Sequence, residues 1–552
     1  MTTLRPLTTG ALMGLLALTA CDTGDVRDAT GDLGVDPDAY TKGGGLGKAD
    51  ASVEAIIVDF EMDGQVLASS GFNARGKVED QLLYTIGHLN GDNSVGRLDQ
   101  LEVTELKTES VSGGVLISYH AKLPVAWGDR DSVPSSYDFV LPADISFSGQ
   151  ESFTEKYNHD CVDFGAHDVD SGSMWYYYRP ERFGCQIDDA DVVKLTADLE
   201  VSPINTTGKY PEYHKVWEDD VLSVVAVFGK YEDGATSNSD AGISAYNRFS
   251  RAIENELTGL DLAMEPANPP FSPGVATPEI VYSAVLPGGK AVEVTAILVD
   301  NVRTAGASFD NRYAELTPDA DLIIYNGHAG LGANIRALAQ KGDWVTGQYA
   351  MVFMNGCDTY AYVDDALAKA HMAVNSDDPN GTKYLDIITN AMPSFFREMP
   401  AASMALVRGL MAHDDPQTYE QMFLGIDSDE VVLVSGEQDN VYVPGGGGGG
   451  GGTDNWSGLS EKGTVTRNEE HRFTTETLAP GRYVFEMDGS DDADLYVRTG
   501  IAPTTEQFEC RPFKSGSRET CVVELSTDAA IHVMVRGWDS SSEYELIGTL
   551  DN

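Results

Sequence analysis

Pro444 is followed by eight consecutive glycines, Gly445 to Gly452. Glycine lacks a Cβ, so such a run has no preferred backbone conformation and nothing to bury. It cannot cross a hydrophobic core. A chain of 552 residues interrupted in this way must fold as at least two bodies, each with its own core. Residues 444–454 are therefore a linker between parts that move independently.

Upstream of the linker, residues 218–443 alternate between continuous apolar runs and amphipathic stretches. Residues 221–228, 293–299, 322–325, 351–354 and 431–435 are rich in Val, Ile, Leu, Phe and Met and read as strands buried on both faces. Residues 243–257, 333–340, 384–397 and 401–411 read as helices. Strands alternating with helices imply an α/β domain with a mostly parallel sheet, with ligands at the carboxyl ends of the strands. Residues 53–217 carry shorter β-rich runs, such as 54–60, 114–121 and 138–142, and few helical stretches, 77–89 the clearest. That is a β-rich domain of unknown function. Its aromatic run Trp175 to Tyr178 is a candidate binding face, with packing in a half-buried sheet face as the simpler reading. Residues 455–552 hold short runs at 482–486, 493–497, 521–525, 530–536 and 543–547, the pattern of a small β-sandwich.

Two of the apolar runs end in chemically capable residues. Asp321-Leu-Ile-Ile-Tyr-Asn-Gly-His328 ends in an imidazole, and Tyr349-Ala-Met-Val-Phe-Met-Asn-Gly-Cys357 ends in a thiol. A thiol attacks a carbonyl as thiolate, and a neighbouring imidazole both lowers the cost of ionisation and protonates the leaving amine. Adjacent strands delivering His328 and then Cys357 would build such a pair. The bland alternative is a buried Cys and a hydrogen-bonded loop His. Loops near 233–242, 300–312 and 360–382 would line the pocket. Asp240, Asp358, Asp364, Asp365 and Asp377 are candidates there to accept a basic side chain, with solvated surface as the simpler reading.

This pattern is similar to the caspase-like fold of clan CD cysteine peptidases, which place His and then Cys at the ends of successive strands. The resemblance implies His328 as base, Cys357 as nucleophile, and an oxyanion site from the backbone N–H of Cys357 with one near Ala329 or Gly330. The family has glycine directly after the His; here Ala329 precedes Gly330. Leu478 to Val484, Ala493 to Val497, Cys510-Arg-Pro512, Glu519-Thr-Cys521 and Val535-Arg-Gly537 resemble the bacterial pre-peptidase C-terminal domain, a β-sandwich appended to secreted enzymes. That resemblance implies export.

The first 20 residues read as a signal peptide, with Arg5 before an apolar run too short to span a bilayer comfortably. Leu18-Thr19-Ala20-Cys21 resembles the bacterial lipobox, which implies cleavage before Cys21, lipidation of its thiol, and a membrane-anchored protein of the cell envelope facing periplasm or exterior. Residues 21–52 would be a flexible tether. Of six cysteines, Cys161 with Cys185 and Cys510 with Cys521 each close a short loop. They are expected as disulfides in an oxidising compartment, with free thiols as the alternative. Cys357 is then the odd thiol.

A net charge of −50 argues against nucleic acid as a partner. No H-E-x-x-H, G-x-S-x-G or phosphate-loop motif occurs. His159, Asp160, His167, Asp168 and Asp170 around Cys161 read as a solvated loop rather than a metal site. Asp488, Asp491, Asp492 and Asp494 offer calcium a place in the sandwich, with a charged turn as the default. No cofactor is required. The expected function is an exported, lipid-anchored cysteine peptidase acting on a peptide or protein through a thioester. The rival is a noncatalytic surface lipoprotein whose α/β domain is a scaffold and whose sandwich binds a polymer or protein.

Overall fold

A computed structural model describes residues 50–166, 169–436, 440, 442–444, 456, 458–478, 481–505, 507–512, 516–525 and 529–551. The predicted leader, Cys21, most of the tether and the glycine run lie outside the described residues. The chain divides into two compact units, residues 1–440 and 441–552.

The apolar runs of the first unit form one nine-stranded sheet. Its strands are β1 (Asp50–Ser52), β2 (Val221–Gly229), β3 (Ala263–Glu265), β4 (Glu279–Val285), β5 (Ala291–Val299), β6 (Leu322–Asn326), β7 (Ala350–Asn355), β8 (Leu385–Asn390) and β9 (Val432–Ser435). Their order across the sheet is β1-β9-β8-β7-β6-β2-β5-β4-β3. The five central strands, β8 to β5, are parallel; the edges are antiparallel. Every residue of β6, β7 and β8 is buried, as two covered faces require. Val225, Val227, Ile323, Tyr325, Val352, Met354 and Ile387 point to one face. They share a core with helices α2 (Ala307–Leu316), α3 (Ala333–Lys341) and α4 (Ala366–Val374). Helices α1 (Ala241–Leu257) and α5 (Met399–Met411) pack on each other and on β2, covering the other face.

Five sequence expectations fail here. The helix expected over 384–397 is strand β8, paired in parallel with β7; its Ile387-Ile388-Thr389 run is β-branched and stiff at χ1. The end of the expected tether is ordered, since Asp50 to Ser52 add an edge strand to β9 and Ser52 Oγ donates to Val432 O at 2.6 Å. The β-rich segment is not a separate body. Its five antiparallel strands Ile56–Ala68, Val95–Gly96, Gly114–Trp127, Ser136–Pro142 and Val192–Val201, with Glu102–Val111 added to the third, form a second sheet. Its core continues into Tyr360, Ala361, Ala391, Met392, Val431 and Leu433 of the α/β part. The aromatic run forms a helical turn, Met174–Tyr177, and not a strand; its residues are buried in that shared core. The helix expected over 77–89 is two, Ala74–Leu82 and Tyr84–Asn90.

The second unit holds a four-stranded sheet (Leu459–Thr466, Gly481–Gly489, Glu519–Leu525, Ser541–Asp551) and a three-stranded one (Glu470–Leu478, Ala493–Thr499, Ala529–Gly537). Both are antiparallel, and both feed one core around Phe485, Leu495, Val533 and Leu546. Disulfides join Cys161 to Cys185 and Cys510 to Cys521, with Cα separations of 4.7 and 5.7 Å.

Candidate active site at the sheet's switch point

After β2 the chain moves toward β5; after β6 it moves the other way, to β7. The crevice between the carboxyl ends of β2 and β6 is the switch point at which open α/β sheets bind ligands. His328 lies there. Asn326 of β6 is in register with Asn355 of β7, so His328 and Cys357, each two residues further on, leave adjacent strands at the same level. Gly327 N donates to Asn355 O at 3.2 Å. A Cβ on Gly356 would come within 2.8 Å of Gly327 O and 3.3 Å of Ala329 N. Only glycine lets the two turns approach this closely.

His328 Nε2 meets the Tyr231 carbonyl oxygen at 3.0 Å. A carbonyl only accepts, so Nε2 carries the hydrogen and, in the neutral ring, Nδ1 carries the lone pair. The ring clusters with Tyr231 and Phe396, its centroid 5.4 Å from each and theirs 5.8 Å apart. The loop bearing Tyr231 is shaped by Asp240, the cap of α1. Its carboxylate accepts from Tyr231 N, Glu232 N and Ile243 N at 3.1, 3.0 and 2.9 Å. Behind His328, its own carbonyl accepts from Asn334 Nδ2 at 2.6 Å and Tyr325 Oη at 2.9 Å. Gly330 follows with φ 59°, the left-handed region, and Ala329 is buried.

Cys357 is 4% exposed, and its Sγ lies 3.7 Å from the Ser394 carbonyl oxygen. The odd free thiol expected at this position is not observed: no described cysteine, Cys357 included, is free. A sulfur in a disulfide is no nucleophile, so thiolate chemistry here requires reduction first.

Beneath both turns lies a buried polar floor. Asn355 Nδ2 donates to Asn326 Oδ1 at 2.9 Å, Ser394 Oγ to Asn355 Oδ1 at 2.7 Å, and Ser403 Oγ to Asn326 Oδ1 at 3.0 Å. Gly356 N donates to Asn390 Oδ1 at 3.3 Å, and Asn390 Nδ2 to Glu430 Oε2 at 3.0 Å. Burial pushes Glu430 up to about 8 against the pull of Ser394 and Asn390. None of this floor was anticipated. Its signal is the dipeptide Asn-Gly, present before both His328 and Cys357.

The five acids considered for a basic side chain are all engaged within the protein. Asp240 caps α1. Asp358 is buried and accepts from Asn90 Nδ2 at 3.1 Å. Asp364 pairs with Arg336, Asp365 with Lys369, and Asp377 with Lys383. A cleft of about 870 Å³ opens instead at the carboxyl end of β5, lined by Lys230, Asp233, Asp300, Phe309, Arg312 and Glu315 among others. Two of the three expected loops line it; residues 360–382 do not.

Among the described residues no group of three or more His, Cys, Asp or Glu is arranged to hold a metal. Asp170 caps a turn through Gly172 N and Ser173 N, and His167 and Asp168 lie outside the described residues. Asp494 is buried against Arg511 at 2.8 Å, and Asp492 accepts from Gly516 N at 3.1 Å. No described helix is long and apolar enough to cross a membrane.

No family model matches the chain. Curated relatives match over short stretches of the C-terminal region. The chain is similar to the virulence metalloprotease of Vibrio anguillarum, 36% identical over 81 residues, 15% of this chain and 13% of that protein. It is similar to the alkaline serine exoprotease A of Vibrio alginolyticus, 48% identical over 54 residues, 10% of each. It is also similar to a zinc metalloprotease of Helicobacter pylori, 37% identical over 78 residues, 14% of this chain and 30% of that protein. The chain thus spans less than a third of the length of each of these relatives. Among solved structures, the solution structure of vEP C-ter 100 is 34% identical, covering 15% of this chain and 85% of that one, with a TM-score of 0.14.

Proposed function

We propose that the protein is an exported peptidase of caspase-like fold that uses Cys357, in reduced form, as nucleophile and His328 as base. The observation that carries this reading is the placement of the two residues. They leave adjacent parallel strands in register, His328 at the switch point and with its Nε2 anchored to a main-chain carbonyl. That anchor orients the ring as a third group orients the imidazole of a catalytic triad. Nδ1 takes the thiol proton, and the thiolate attacks the substrate carbonyl carbon. The oxyanion is met by the backbone N–H of Cys357 and one from Ala329 or Gly330. Each such donor is worth roughly 10²- to 10³-fold in rate. Collapse expels the amine, which takes its proton from His328, and leaves a thioester on Cys357. Water activated by the same imidazole then releases the acid.

The relatives are metallo- and serine peptidases by name, yet they share one short C-terminal stretch with this chain. A segment common to two chemistries supplies neither. It supports a peptidase-related, exported role, with the C-terminal unit an appended module of the pre-peptidase type. Anchoring through a lipidated Cys21 belongs to the same proposal, as does calcium in the C-terminal unit.

A noncatalytic scaffold is the second reading, favoured by the burial and oxidised state of Cys357. The test is alkylation of the full chain by a thiol probe, with and without reductant, and hydrolysis of a mixed peptide library. Wild type is compared with Cys357→Ala and His328→Ala. Reductant-dependent hydrolysis lost in both variants supports the peptidase. Alkylation of Cys357 indifferent to His328, with no hydrolysis, establishes the scaffold.

A further inference from the structure

The residue after Cys357 is gripped by the β-rich part of the unit. Asp358 is fully buried and left-handed, with φ 49°, a backbone conformation that a non-glycine residue holds only where its surroundings enforce it. Asn90, at the end of helix Tyr84–Asn90, is one of the groups around it, with Tyr176 and Arg179. Its Nδ2 donates to Asp358 Oδ1 at 3.1 Å and to Ser94 O at 3.3 Å, while its Oδ1 accepts from Arg179 at 3.4 Å. The same Nδ2 lies 3.9 Å from Met392 Sδ, on the loop that continues to Ser394. Asn90 therefore touches both loops that bracket Cys357, the one it begins and the one whose carbonyl faces its sulfur. The short helix that follows, Thr359–Tyr362, is clasped by the same part of the chain: Arg97 lies over the Tyr360 ring, and Trp175 meets Tyr362 edge-on.

We propose that Asn90 is a positioning residue for Cys357, so that the β-rich segment is an integral half of the active body and not an appended module. This rests on the dyad reading above. Burial pushes Asp358 up to about 6 while Tyr176, Arg179 and Asn90 pull it down, so near neutral pH a carboxylate is held inside and depends on these partners. Removing the Asn90 amide frees Asp358 to turn, and the Cys357 backbone turns with it. A displacement of about 1 Å at a reacting atom costs on the order of 10²-fold in rate.

The experiment is a double-mutant cycle on the full chain, reading alkylation of reduced Cys357, mapped to its peptide, in wild type, Asn90→Ala, His328→Ala and the double variant. Asn90→Ala is expected to slow alkylation about 10- to 100-fold. The cost of losing His328 should largely vanish in the Asn90→Ala background, because a misplaced thiol no longer feels the imidazole. A purely structural role would leave the two effects additive and overturn the proposal. Should Asn90→Ala fail to fold, the exchange Asn90→Asp with Asp358→Asn restores one amide facing one carboxylate. That pair is expected to recover most of the wild-type rate, while Asn90→Asp alone sets two acids against each other and does not. A folded exchange variant as slow as His328→Ala would equally refute Asn90's role. Failure of the dyad reading looks different: His328→Ala then matches wild type, whatever Asn90 does.

Discussion

Glu430 closes the polar floor beneath Cys357 and is 1% exposed. Burial is the largest influence on its carboxyl, the charges of Asp427 and Glu398 add to it, and together they take it from 4.5 to about 8. In the unfolded chain the group ionises at its ordinary value. Between about pH 4.5 and 8 the folded state therefore holds a proton that the unfolded state has lost. The unfolded state binds fewer protons, so stability falls as pH rises through that window, by up to about 1.4 kcal/mol per unit. By pH 7 the accumulated loss is about 3 kcal/mol. Glu430→Gln keeps an oxygen to accept from Asn390 Nδ2 and cannot ionise. The variant's stability relative to wild type should climb steadily from pH 5 to 8 and then level off. Urea denaturation at half-unit pH steps, followed by a probe in residues 50–440, measures this. The two proteins share every other titrating group, Asp321 and Asp358 included, so the difference isolates Glu430. A difference that stays flat with pH would show that Glu430 is ionised when folded, and would undo the account of the floor as a neutral hydrogen-bonded layer.

Gly356→Ala places a methyl 2.8 Å from the backbone oxygen of Gly327. It should abolish His328-dependent alkylation of Cys357 while the far-UV circular dichroism stays that of wild type. Replacing Cys161 and Cys185 together by Ser opens a loop with a sequence separation of 24. It should lower the stability of the first unit by about 3 kcal/mol in denaturant titration and leave the unfolding of the C-terminal unit unchanged.

The central sheet was readable because strands covered on both faces leave no polar break in the sequence. β2, β5, β6 and β7 are such runs, and they stand where the pattern put them. β8 was not readable, and Asp386 shows why. An acid inside Leu385-Asp-Ile-Ile looks like the solvent side of a helix. Here it is buried because the hydroxyls of Tyr349 and Tyr419, distant in sequence, both donate to it. Local spacing carries no trace of partners that far away. The shared core of the β-rich and α/β parts was hidden for a related reason. A change of period in the sequence marks a change of local structure, whereas a domain boundary depends on whether buried surface is shared. Tyr360, Ala361 and Met392 share theirs with the β-rich sheet.

At the site itself, the sequence revealed what depends on side-chain type and concealed what depends on main chain. His and Cys at the ends of apolar strands advertise themselves. The group that orients His328 is the carbonyl of Tyr231, which any residue at that position would supply, so no search for a third Asp or Asn could find it. Its placement is nevertheless encoded, one step removed. Asp240 accepts from the N–H groups of Tyr231 and Glu232 as well as from Ile243 N. The carboxylate that caps α1 thus also sets the direction of the peptide facing the imidazole. Read as a pocket acid, Asp240 suggested a preference for basic side chains. Read as a cap, it holds the peptide whose carbonyl His328 faces. The two roles use the same carboxylate and exclude each other, because an oxygen committed to backbone donors offers little to an incoming ammonium.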